Sequence, residues 1–164
     1  MQDLLYKEYH KRLSGLLAAE NKYRKVFQKL ASVASTEELK SAIIPEKTEA
    51  EQHIARLKQC LQLADLKAER LIDELDTTLL SLVEATLKEK KMDAISMDIQ
   101  ILQRAVAVFN SKKASYEIVH KMAVALQQEL AAQLLEQCAK DNQNNYAYLL
   151  QIAANIIYPK AVIA

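Results

Sequence analysis

Glycine and proline are almost missing from this chain of 164 residues, which holds one of the first, two of the second and no tryptophan. Hairpins and tight turns need the positive or fixed φ angles those residues supply, so their scarcity excludes a sheet protein built on short turns. The lone glycine, Gly15, falls inside a helical pattern, so the chain has no glycine-rich phosphate loop. No Ser–His–Asp or Cys–His arrangement has supporting context either, which leaves nucleotide and acyl-transfer chemistry without support. Cys60 and Cys138 lie far apart on apolar helical faces and match no metal-ligand spacing; small buried hydrophobes are expected, not a disulfide or a nucleophile. No run approaches the roughly 20 apolar residues of a membrane-spanning helix, and the start Met1-Gln2-Asp3-Leu4 lacks a basic region followed by an apolar one. A cytoplasmic protein with no membrane partner is the expectation. An excess of one charge is also lacking: 22 basic and 21 acidic residues leave +1, spread along the whole length, which disfavours nucleic acid as a partner.

What is present is helix-forming. Hydrophobic residues make up 51% of the chain, and Ala, Leu, Lys, Glu and Gln, which lose little on entering a helix, dominate the rest of the pattern. The length suits one domain with a real core. Apolar periodicity predicts a first helix over about 2–34, after which Ser35-Thr36-Glu37-Glu38 offers a capping box that restarts the chain. Pro45 predicts a kink or short break before Glu46. The stripe Ala50, Ile54, Leu57, Leu61 continues this second helix, with an interruption expected over 63–67. A further amphipathic segment over about 68–89 carries Leu71, Leu75, Leu79, Leu82 and Leu87, and Lys88-Glu89-Lys90-Lys91 reads as a solvated turn. Long helices over about 93–126 and 129–156 follow. The class is all-α: an antiparallel four-helix bundle over 1–156 with an additional crossover helical segment, and a C-terminal tail over 157–164.

Each apolar stripe is interrupted by a polar residue. On helix one the line Leu13, Leu16, Leu17, Glu20, Tyr23, Phe27, Leu30, Ala34 contains a carboxylate, and an unpaired ion inside a core costs several kcal/mol. Glu20 must therefore be paired, protonated or holding a metal. Lys112 interrupts Leu102, Ala105, Phe109, Tyr116, Val119 and Ala123 on the third long helix, and Asn142 interrupts Leu135, Cys138, Leu149 and Ile152 on the fourth. Glu49 and His53, four residues apart, share one helical face, a spacing that suits one divalent cation and equally an ordinary surface pair. Glu51 and Arg56 read as solvated charges, and His10 and His120 as surface residues.

Residues 13–57 resemble, without a gap, the ferritin-like bacterial family typified by the stress proteins YciE and YciF. The resemblance rests on Ala19-Glu20, Lys29-Leu30-Ala31, Glu37, Leu39, Ala42, Glu49, His53, Ile54, Arg56 and Leu57; Ala114-Ser115-Tyr116, Ala131-Ala132-Gln133-Leu134-Leu135, Leu149 and Ala153 extend it toward residue 155. It implies a ferritin-like bundle and, in typical members, a carboxylate-rich dinuclear metal site between the helices. Glu20, Glu49 and His53 stand at ligand-type positions of that site. The other half departs from the pattern: Phe109-Asn110-Ser111-Lys112 replaces a Glu-His-Tyr-Glu run, and Lys140-Asp141-Asn142 and Tyr146 replace the acidic positions of the last helix.

Two divalent ions bring four positive charges, which two carboxylates and a neutral imidazole do not balance. The expectation is thus a non-catalytic bundle without a cofactor, in which Lys112 supplies to Glu20 or Glu49 the charge a metal would have supplied. The alternative is one iron or manganese ion held by Glu20, Glu49 and His53, with Asp141 or water completing the sphere, for redox or storage chemistry. Tyr146, Tyr148, Tyr158 and the apolar end Ala161-Val162-Ile163-Ala164 suggest a docking surface for a second copy or a family partner.

Overall fold

Four helices stand in a square because each carries one apolar stripe and has that stripe to bury. The structure, a computed structural model, describes residues 4–44 and 47–164, and the kink expected at Pro45 lies outside them. The helices are α1 (Leu4–Val33), α2 (Glu37–Ile43), α3 (Lys47–Leu63), α4 (Glu74–Lys88), α5 (Ala94–Ala125) and α6 (Glu129–Ile152); a π-helical turn over Ala153–Ile157 leads into α7 (Tyr158–Val162). No strand occurs among the described residues. Around the square, α1 packs on α3 and α5, and α6 packs on α3 and most extensively on α5.

Long-range bonds fix the helix directions. The Tyr6 hydroxyl reaches the Ala64 carbonyl while Glu20 lies beside His53, so α1 and α3 are antiparallel. Ser35 meets Asp98 while Glu20 meets Tyr116, and His120 meets Ala132 while Lys113 meets Gln143, so α5 is antiparallel to both α1 and α6. It follows that α3 and α5 run in the same direction, which forces the chain between them to cross the length of the bundle. That crossover is α4, packed on α1 and α5.

Two expectations about local structure change. The capping box at residues 35–38 does not form: Thr36 is the N-cap of α2, but its side chain makes no capping bond. Instead the amide and hydroxyl groups of both Ser35 and Thr36 donate to the buried carboxylate of Asp98, at the start of α5. One acidic side chain thus ties the α1–α2 corner to a helix 60 residues away in sequence, and satisfies donors that would otherwise be orphaned. The second change concerns the crossover. Asp73 caps α4 by accepting from the Leu75 amide, so the helix starts at residue 74, not 68. Its buried face is Asp76, Leu80, Val83 and Thr86, while Leu75 and Leu82 are exposed. Of the expected leucine stripe, Leu79 and Leu87 pack against the core, whereas Leu75 and Leu82 do not.

The other stripes are buried as read, including both cysteines, which are free thiols whose burial raises them to about 12. His10 and His120 are partly exposed and hydrogen-bond to the Lys67 and Ala132 carbonyls. Residues 157–164, expected as a tail, begin inside the core with Ile157 and remain helical to Val162. Gly15, within α1, has room for a methyl group: a Cβ there would stand 3.4 Å from Leu71 Cδ1 and 4.0 Å from the Asp73 amide nitrogen. Since glycine inside a helix costs about 0.8–1 kcal/mol relative to alanine, Gly15→Ala should raise the unfolding free energy by about 0.5–1 kcal/mol in urea. A loss of stability would show that Leu71 does not yield to the added methyl.

Candidate functional site: a charged network in the bundle core

Glu20 comes from the middle of α1, where the apolar stripe leaves it nowhere to go but inward, and it is 2% exposed. Three groups converge on Oε1. The Lys112 ammonium, from α5, lies 3.0 Å away; the Tyr116 hydroxyl, one turn further along α5, donates to it at 2.8 Å; and His53 Nδ1, from α3, stands at 3.6 Å. Lys112 and Tyr116 are four apart, so one helical face delivers both. Lys112 is itself buried, and its ammonium sits 5.5 Å from the centre of the Phe109 ring. Burial by itself would push the Glu20 carboxyl up, but Lys112 and His53 outweigh it and hold the group at about 2. The Tyr116 hydroxyl moves the opposite way, well above its ordinary range, because it is buried and faces that carboxylate.

His53 carries the network outward. Its ring, edge-on to Tyr116, places Nε2 2.9 Å from Asp141 Oδ2 on α6 and 4.0 Å from Glu49 Oε1. Asp141 also accepts from Arg56 Nη1 at 2.9 Å and from Gln137 Nε2 at 2.8 Å. Burial raises the Asp141 carboxyl, and its bonds with His53, Gln137 and Arg56 more than reverse that, leaving it lowered. Glu49 accepts from Asn145 Nδ2 at 2.8 Å. The result is a connected polar chain, Lys112–Glu20–His53–Asp141–Arg56, that runs from α5 through α1 and α3 to α6 and back to α3.

Of the residues singled out from sequence, Glu20, His53 and Lys112 come together, with Glu49 at the edge. The lysine pairs with Glu20, and no ion pair joins it to Glu49 among the described residues. Phe109 packs in the core beneath the ammonium. Asn142 donates to the Cys138 carbonyl, and its Oδ1 is buried with no partner among the described residues. Tyr146 lies outside the network, half-buried beneath the ammonium of Lys113. Sequence reasoning missed two members. Tyr116 reads as an ordinary stripe residue because only its ring is visible to periodicity. Arg56 reads as a solvated charge, although it lies three residues after His53 and so on nearly the same face.

Glu49, His53 and Asp141 each offer a ligand atom within 4.8 Å of the others, a spacing that could take one divalent ion. Two cations already stand beside this site: the Lys112 ammonium pairs with Glu20, and Arg56 occupies the Asp141 oxygen that also faces His53.

The profile of the family described as a domain of unknown function, DUF892, matches residues 5–162. The chain belongs to the DUF892 family. This is the YciE and YciF type anticipated from residues 13–57. Among solved structures, the DUF892 chain is similar to the stress protein YciF of E. coli, at 22% identity over 94% of this chain and 97% of that one, with a TM-score of 0.87. It is also similar to YcfI, proposed as a structural protein, from Rhodopseudomonas palustris, at 18% identity over 90% and 93% of the two chains, with a TM-score of 0.82. At these identities the likeness shows the fold. No curated protein matches the DUF892 chain in sequence. Among its described residues no helix is long and apolar enough to cross a membrane.

Proposed function

We propose that this DUF892 protein is a non-catalytic bundle in which an internal ion-pair network replaces the dinuclear metal site, and that it acts by association, in a stress-related setting of the YciF kind. The observation that carries the reading is the Lys112 ammonium 3.0 Å from Glu20, buried where the family resemblance calls for a carboxylate ligand. Lysine there brings one positive charge that needs no loading and no redox partner. Support for association comes from the last turns, where Tyr148 and Tyr158 are about half exposed and Val162 and Ile163 more than four-fifths exposed. A second copy or a family partner is the proposed occupant of that end, and the native mass in solution tests it.

The alternative, one iron or manganese ion, is favoured by one observation, the convergence of Glu49, His53 and Asp141. Binding would require Arg56 to leave Asp141 and any proton on His53 Nε2 to be displaced. In that case the ion would supply Lewis-acid or redox chemistry, and the three side chains would hold it. Elemental analysis of untagged protein, offered ferrous iron or manganese without oxygen and then desalted, separates the two. The metal-free reading expects no stoichiometric ion in the native protein or in His53→Ala. An equimolar ion that disappears in His53→Ala would overturn it.

A further inference from the structure

On the opposite side of α1 from His53, the bundle leaves a cleft of about 780 Å³ between α1, α5 and the entry to α4. It exists because the residues facing it are small: Gly15 on α1 and Ala107, Ser111 and Ala114 on α5. Leu16, Leu71 and Ile118 give it apolar walls. At its floor is Asp76, 8% exposed. The Tyr23 hydroxyl donates to Asp76 Oδ1 at 2.7 Å and so fixes the carboxyl, while Oδ2 has no hydrogen-bond partner and no ion pair among the described residues. The Lys112 ammonium is paired with Glu20 and acts on Asp76 through its charge without forming an ion pair with it among the described residues.

Such a carboxyl works against the fold. Its burial raises Asp76 above its ordinary value, against the Tyr23 hydrogen bond and the Lys112 charge that lower it and with Asp73 and Glu20 adding to the rise, so its ionised form costs the native state some stability. A buried acid that costs stability, held in place by a tyrosine and open on one oxygen to an apolar cleft, has the form of a binding group. The charges around the opening indicate the sign of the ligand. Glu8, Asp73, Glu74 and Asp76 line the cleft against Lys11 and Arg12, a balance of four acids to two bases.

We propose that the cleft binds a small molecule with a primary ammonium group on an apolar body, the ammonium donating to Asp76 Oδ2 and the body lying against Leu16, Leu71 and Ile118. The hydrogen bond is charge-assisted and the body is held by apolar walls, so the cleft discriminates against a neutral or anionic head group of the same length.

Isothermal titration of the full chain with hexylammonium, hexanol and hexanoate at neutral pH tests this. Hexylammonium should bind saturably, about tenfold or more tighter than hexanol, with hexanoate weakest. Asp76→Asn, which removes the costly charge and keeps an acceptor for Tyr23, should fold at least as stably and lose that tenfold preference. Ser111→Phe, which fills the cleft, should bind none of the three. No binding of hexylammonium, equal affinity for all three, a preference for hexanoate, or undiminished hexylammonium affinity in Asp76→Asn would each overturn the proposal. The three-ligand comparison on the unaltered chain stands whether or not the variants fold.

Discussion

Lys112→Ala should lower the unfolding free energy by about 3–5 kcal/mol, among the largest effects a single substitution in this core can have. The cause is what remains. Glu20 would keep the Tyr116 hydroxyl and the more distant His53 but lose the ammonium at 3.0 Å, and a carboxylate 2% exposed has no water to replace it. The same argument predicts recovery when the charge is removed from both sides. Glu20→Gln with Lys112→Met keeps volume and leaves an amide oxygen for Tyr116, so the double variant should lie within about 1–2 kcal/mol of the native protein. Urea unfolding of the two single variants and the double variant gives the cycle. Additive losses would mean that the pair does not interact and that the lysine reaches the core for its aliphatic chain alone.

Acid should destabilise the bundle over a window set by the same carboxylate. Glu20 titrates at about 2 in the native state against an ordinary value of 4.5, so its stabilising effect is complete above about pH 4.5 and is lost as pH falls toward 2. At 1.36 kcal/mol for each pH unit of displacement, that is on the order of 3 kcal/mol. Asp141 is lowered as well and adds to the loss. Asp76 is raised, so its protonation on acidification strengthens the native state and offsets part of it. Unfolding free energies measured from about pH 6 to pH 2.5 should fall more steeply for the native protein than for Glu20→Gln. Parallel curves would place the acid sensitivity elsewhere.

The helices and most of the core were legible in the sequence because each long stripe contains enough apolar residues to define its phase. In α1 and α5 the stripes identify even the buried charges, since Glu20 and Lys112 each fall in line with buried residues on both sides. That two such positions belong together requires pairing the helices, which the family resemblance supplied. In α4 the leucines mark the core side only in part: Leu79 and Leu87 pack against the core, but Leu75 and Leu82 lie off the buried face of 76, 80, 83 and 86, on which two of the four residues are polar. The signal that could have corrected the reading is Asp73, an N-cap that moves the helix start to residue 74 and leaves Leu71 outside. Asp98 was hidden for a different reason. Its partners are backbone amides and hydroxyls at a corner more than 60 residues away, and no local pattern records them.

The metal question has the same structure. Glu49 and His53 are visible as a spaced pair, but their relation to Asp141 and Arg56 depends on the packing of α3 on α6. Charge is the ground for the proposed metal-free reading, since Lys112 and Arg56 stand on the two carboxylates nearest His53.

The most direct measurement is the thermal unfolding midpoint of the untagged protein under anaerobic conditions, with excess ferrous iron or manganese and with chelator. An ion bound by the native state alone stabilises by about 2.7 kcal/mol at a hundredfold excess over its dissociation constant, which for a chain of this size is a rise of several degrees. An internal lysine–carboxylate network predicts the same midpoint with metal and with chelator. A rise with metal that is abolished in His53→Ala would contradict it.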